Sequence, residues 1–265
     1  MKTSSRKHFV LLAFSLLIGL FLPCFLWIRA QQHQYTINRE LIEALKIDDT
    51  SQAMALVEAG ADPNTHYEPA PAPSLFLLMQ QWLDHKALPV DKSPTAFLLA
   101  CGMGWDGILQ SDEVYSFRLS SEPLVLAMIA HNADVNPDTG EESVLCVAIG
   151  LNRVRVVERL LEHGANADTT DGHGLSPLMW AALYGNPGLV DPLLKHGAQI
   201  NRQEKDGWTA LHYAVHFNTR KDMAAQLLKH KADPNIPSKQ GVTALMLAQQ
   251  QYRPDLVGLL RHSRK

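Results

Sequence analysis

Ser176-Pro-Leu-Met-Trp-Ala181 and Thr209-Ala-Leu-His-Tyr-Ala214 follow one pattern. The same pattern appears before them at Ser143-Val-Leu-Cys-Val-Ala148 and after them at Thr243-Ala-Leu-Met-Leu-Ala248. The openings at Ser143, Ser176, Thr209 and Thr243 are evenly spaced, with a period of about 33 residues. Each phrase starts on Ser or Thr, whose side chain can accept from the free N–H groups of a helix start. Pro177 fits the first turn, where no N–H is needed. Each phrase closes on an alanine small enough to let a neighbouring helix approach. A second phrase keeps step with the first. It reads Gly60-Ala-Asp-Pro-Asn64, Asn132-Ala-Asp-Val-Asn136, Gly164-Ala-Asn-Ala-Asp168, Gly197-Ala-Gln-Ile-Asn201 and Lys231-Ala-Asp-Pro-Asn235. From Ala133 through Ala165 and Ala198 to Ala232 its alanines advance by the same period, while the gap from Ala61 to Ala133 holds two periods plus an insertion. Between the phrases lie paired apolar residues, Leu160-Leu161, Leu193-Leu194, Leu227-Leu228 and Leu259-Leu260, marking a second helix in each unit. A lone helix pair cannot bury its apolar face; stacked pairs share one core.

These phrases in register resemble the ankyrin repeat, whose signature is a T-P-L-H-x-A phrase in a unit of about 33 residues. The resemblance is strongest over residues 137–262 and extends back to residue 38. It implies an all-α solenoid of about six helix-turn-helix units joined by short finger turns, over residues 38–263. The first unit, Asn38–Asn64, lacks the opening phrase, as capping units do. Insertions fall at 65–91, with Pro69, Pro71 and Pro73 and an amphipathic stretch at Ser74–His85, and at 105–120, after which the helix restarts near Ser121.

The chain has 265 residues and a formal charge of −3. Residues 1–29 hold Lys2, Arg6, Lys7 and Arg29 and no acid; the rest carries −7, from 20 basic and 27 acidic side chains. That balance argues against a nucleic-acid partner. Residues 9–28 form a run without a charge. As a helix such a run spans roughly 30 Å, a bilayer core. With the basic cluster ahead of it, residues 1–29 read as a transmembrane signal anchor with a cytoplasmic N-terminus, followed by a tether at 30–37. This places the repeats on the non-cytoplasmic side. The alternative is cleavage near Ala30 and secretion, although Ile28 and Arg29 match a cleavage site poorly.

No constellation of a catalytic, metal or cofactor site is legible. Gly102-Met-Gly-Trp-Asp-Gly107 spells a dinucleotide-loop pattern. No strand–helix context surrounds it, and Gly104 falls where the units turn between helices. His212 and His216 share a helix face, but Tyr213 stands where a zinc protease needs Glu; His212 reads as a bond-maker near the helix start. His131, His163, His196 and His230 recur near second-helix ends, where a positive charge suits the helix dipole. Cys101 and Cys146 lie on adjacent first helices, either as buried thiols or as a disulfide. The reading is a non-catalytic module with no cofactor and no obligate metal; the alternative is a sensor or enzyme accessory with a small-molecule pocket near the insertions.

The resemblance also implies where a protein partner would sit: on the concave side, at finger tips and exposed first-helix positions. In the fourth unit these are His173, Leu175, Leu183 and Tyr184. In the fifth they are Lys205, Asp206, Trp208, His216 and Phe217. Large exposed apolar groups mark interaction sites; packing of Trp208 or Phe217 on a neighbouring unit is the alternative. Trp180 and Tyr213 take a position that is usually apolar and between repeats, and read as core.

Overall fold

A computed structural model of the chain describes residues 26–27, 29–66, 95–101, 121–137, 143–217 and 221–262. Among these residues the regular structure is helical, and the only strand-like pairing is an isolated antiparallel bridge between His66 and Thr95. The chain divides into two compact units, Met1–Leu99 and Ala100–Lys265.

In the first unit, helix α1 covers residues 29–46 and α2 covers Thr50–Glu58. The stretch 30–37, expected as a tether, is helical and runs unbroken into the first repeat helix. Leu41, Ile42, Ala44 and Leu45 of α1 are buried, as are Ala53 and Val57 of α2. Asp49 caps α2 by accepting from the Gln52 N–H at 2.9 Å. Helix α3, Ala96–Ala100, starts in this unit, with the Ala96 N–H on the Thr65 carbonyl at 2.7 Å and the Phe97 N–H on the Pro63 carbonyl at 2.8 Å. Residues 63–65 and 96–97 are therefore joined by backbone bonds. The extra helix expected at Ser74–His85, the 105–120 insertion and the Gly102–Gly107 pattern lie outside the described residues.

The second unit contains α4 (Glu122–Ala130), α5 (Val144–Gly150), α6 (Val154–Glu162), α7 (Pro177–Tyr184), α8 (Val190–Lys195), α9 (Ala210–Phe217), α10 (Lys221–Lys229), α11 (Ala244–Gln250) and α12 (Pro254–His262). A short 3-10 turn, Pro187–Leu189, leads into α8. The helix restart expected near Ser121 is α4, with Pro123 in its first turn. First helices stack in the order α5, α7, α9, α11, and second helices in the order α4, α6, α8, with α10 against α12. This order follows from the alanines. Ala148, Ala181, Ala214 and Ala248 are at most 1% exposed, and a larger side chain there would separate adjacent helices. The helix starts are capped as the phrases predict: the Ser143 hydroxyl accepts from the Cys146 N–H, Ser176 from Met179 and Thr243 from Met246.

The second phrase works as a ladder. The Asn136 carboxamide oxygen accepts from the Asn166 N–H at 2.8 Å, and its NH₂ donates to the Gly164 carbonyl. One unit on, Asp168 accepts from the Gln199 N–H and side chain and pairs with Arg202. One unit further, Asn201 accepts from the Asp233 N–H at 2.9 Å. In the first unit Asn38 does the same for Asp62. Asn136, Asp168 and Asn201 thus each tie one unit to the next, while the Asn38 bond closes the first unit on itself, which explains why Asn or Asp recurs at this position.

Candidate functional site

The finger turns between repeats share one construction in the second unit. The Asp171 carboxylate accepts from the N–H groups of His173 and Leu175 at 2.9 and 2.8 Å. The Glu204 carboxylate accepts from Asp206 and Trp208 at 2.8 and 2.9 Å. The Ser238 hydroxyl accepts from Gln240 and Val242 at 3.3 Å each. Backbone bonds close each turn in the same places, Gly174 onto Asp171, Gly207 onto Glu204 and Gly241 onto Ser238. Neighbouring turns also bond to each other, the Lys205 ammonium to the Gly172 carbonyl and the Lys239 N–H to the Asp206 carbonyl. Gly207 has φ +82°, and a Cβ there would meet the Lys239 nitrogen at 2.8 Å, so only glycine fits between these two turns. Sequence reasoning passed over Asp171, Glu204 and Ser238. Their signal was a constant offset of five residues before each opening Ser176, Thr209 and Thr243.

From these turns an aromatic surface runs onto the first helices. Trp180 donates its indole N–H to Asp171 at 2.9 Å and stacks on Tyr184, ring centres 5.6 Å apart. Both rings approach Gly150, where a Cβ would meet Trp180 at 3.1 Å. In the next repeat Trp208 meets Tyr213, His216 and Phe217, at 5.3, 5.2 and 6.5 Å, and Tyr213 stacks on Phe217 at 5.9 Å. Tyr184 is 55% exposed and Phe217 is 53% exposed.

Of the expected partner-binding residues, His173, Tyr184, Lys205, Asp206, His216 and Phe217 are exposed, or nearly so, and Leu175, Leu183 and Trp208 are half-buried. Trp208, Tyr213, His216 and Phe217 come together in one cluster; Trp208 packs on its own repeat's helix. His216 also accepts at Nδ1 from the Gln251 side chain at 3.0 Å. Trp180 and Tyr213, read as core from their register, are half-buried and join the aromatic surface instead. Met246, on α11, is 52% exposed, and Tyr252 beyond that helix is 91% exposed.

His212 is buried and fully engaged. Its Nδ1 accepts from the Thr209 N–H at 3.1 Å and hydroxyl at 2.9 Å, while Nε2 donates to the Val242 carbonyl of the next repeat at 3.1 Å. It is a structural clasp at the helix start, as its place in the phrase suggested. His131, His163 and His196 stand at the C-caps of α4, α6 and α8, and His230 directly follows α10. Cys101 and Cys146 are buried thiols.

The family model for ankyrin repeats in threes matches residues 116–204 and 178–265. The chain belongs to the ankyrin-repeat family. The ankyrin match begins close to the start of α4, so the units before it rest on the phrase register and on the helices observed there. The rat ankyrin repeat and SAM domain-containing protein 6 is 33% identical over 133 residues, 48% of this chain and 15% of its own length. The mouse NF-kappa-B inhibitor delta is 39% identical over 84 residues, 31% of this chain and 25% of its own. The human 2-5A-dependent ribonuclease is 41% identical over 86 residues, 32% of this chain and 11% of its own. This chain spans a minor part of each relative. Ankyrin repeats are a protein–protein interaction module, and this ankyrin chain carries them with an aromatic surface on its first helices.

Proposed function

We propose that this chain is a non-catalytic ankyrin adaptor, held at a membrane by residues 9–28, that takes a protein partner on the surface built from its finger turns and first helices. The observation that carries the reading is the pair of half-exposed rings, Tyr184 and Phe217, backed by Trp180 and Trp208 in adjacent repeats. Exposed aromatic groups on a rigid frame lose little entropy on binding and are frequent interface anchors. The basic residues ahead of the apolar run support an orientation with the repeats on the non-cytoplasmic side. Among the described residues no helix is long and apolar enough to cross a membrane, and of the 9–28 run only Leu26 and Trp27 are described.

The test is the combined Trp208→Ala and Phe217→Ala variant, compared with the parent by crosslinking in native membranes from a photoreactive residue at Tyr184. Partner crosslinks should fall by about tenfold or more, as for interface anchors. The melting temperature should fall while the helical signal is kept, because the ring pairs lost contribute about 0.5–1.5 kcal/mol each beyond their burial but lie outside the inter-repeat core. Undiminished crosslinking would place the partner elsewhere, and loss of helical signal would place these rings in the core.

A further inference from the structure

Three carboxylates lie beside the aromatic surface, and none of them is neutralised by a cation among the described residues. Asp171 and Glu204 spend their oxygens on the turn amides and on the Trp180 indole. Asp206 is exposed at the finger tip and forms no ion pair among the described residues. The positive groups on the same turns are Lys205, whose ammonium is held by the Gly172 carbonyl, and Lys239 on the following turn, with His173 on the preceding one. The Tyr213 hydroxyl registers the balance: burial first, then the charges of Glu204, Asp171 and Asp206, push its pKa up to about 12.

The rings are also spaced. Tyr184 and Phe217 are the last residues of α7 and α9, which pack side by side. Packed helices stand about 8–10 Å apart, and in a polyproline II chain residues three apart lie on one face, about 9 Å from each other. An acidic segment laid across this surface would face the exposed Asp206 carboxylate, with Glu204 half-buried beside it. A purely apolar one would desolvate the Asp206 carboxylate without giving it a partner, which costs free energy. A cation over an aromatic face is attracted by the ring, and a guanidinium can stack on it while its edge meets a carboxylate.

We propose that the surface formed by Trp180, Tyr184, Trp208 and Phe217, edged by Glu204 and Asp206, takes a basic segment of a protein partner in polyproline II conformation, with two arginines three residues apart on one face. This rests on the interaction reading above and names the partner's chemistry. One arginine lies over the Tyr184 ring and the other over Phe217.

The experiment measures anisotropy of labelled Gly-Ser peptides with the full chain in nonionic detergent. One peptide has two arginines three residues apart, one has them adjacent, and one has glutamates in their place. The spaced arginine peptide should bind at least about tenfold more tightly than the glutamate peptide, and about threefold more tightly than the adjacent one. Its affinity should fall with added salt. Asp206→Asn should weaken it about threefold or more, and so should Phe217→Leu, which keeps apolar bulk and removes the ring face. Equal binding of the glutamate peptide, no binding of the arginine peptide, or indifference to both substitutions would overturn the proposal. If Trp208→Ala with Phe217→Ala abolishes partner crosslinks that the arginine peptide cannot compete away, the partner chemistry is wrong while the interaction surface stands.

Discussion

His212 shows how one side chain couples two repeats. With Nδ1 accepting from Thr209 and Nε2 donating to Val242, the ring is held neutral, in a single tautomer. Burial lowers its pKa below the usual imidazole value, an effect only partly offset by the Val242 carbonyl and the charge of Glu204. A folded-state pKa below the unfolded one means that the unfolded chain binds the extra proton first. Stability from this residue is therefore complete above the ordinary imidazole pKa and is lost as pH falls through it toward the folded value. Melting temperature should decline between about pH 7 and about pH 5 more steeply in the parent than in His212→Gln, since imidazole titrates in that window. Parallel curves for the two proteins would show that His212 does not contribute to the decline. The role of His212 was legible from its place in the phrase. The half-burial of Trp180 and Tyr213 was not. Register assigns a residue to a helix face, but how far a large ring is covered depends on what the neighbouring unit presents. Here Gly150 leaves space beneath Trp180, while Tyr213 is met by Trp208 and Phe217 rather than by an enclosing core.

At the level of helices, the alanine of each opening phrase sets the distance between units. Ala181 is fully buried on α7, which packs on α5 and on α9. Ala181→Glu should lower stability by several kcal/mol, on the order of 3–5 for an unpaired charge buried in a packed core. The check is chemical denaturation followed by circular dichroism; a change under about 1 kcal/mol would mean that the helices can part locally. The repeat period, the caps and the α4 restart could all be read in the sequence because each follows from local spacing. The turn braces at Asp171, Glu204 and Ser238 were missed for a different reason. They are chemically unlike, so no motif of residue types contains them, and only the offset is constant.

On the scale of the whole chain, repeat stability is a sum of unit and neighbour terms, and the two compact units divide it at Leu99 and Ala100. The charge is divided as well: the basic excess lies in residues 1–29 and the −7 in the remainder. If the first segment is retained as an anchor, protein extracted from membranes should have the intact mass of the full chain and resist alkaline extraction. A mass corresponding to a start near Gln31 would instead mean cleavage and release of the repeats. The same experiment decides whether the aromatic surface is kept at the membrane or released from it.

The finger turns carry one last implication, for how such a surface changes. Asp171, Glu204 and Ser238 perform one mechanical task with a short acid, a long acid and an alcohol. The fold asks of that position only a side chain able to receive two amides and is indifferent to its charge. A single residue replacement can therefore recolour the electrostatics of the aromatic face while every helix stays where it was. Specificity for a partner can drift along a lineage without first passing through an unstable intermediate.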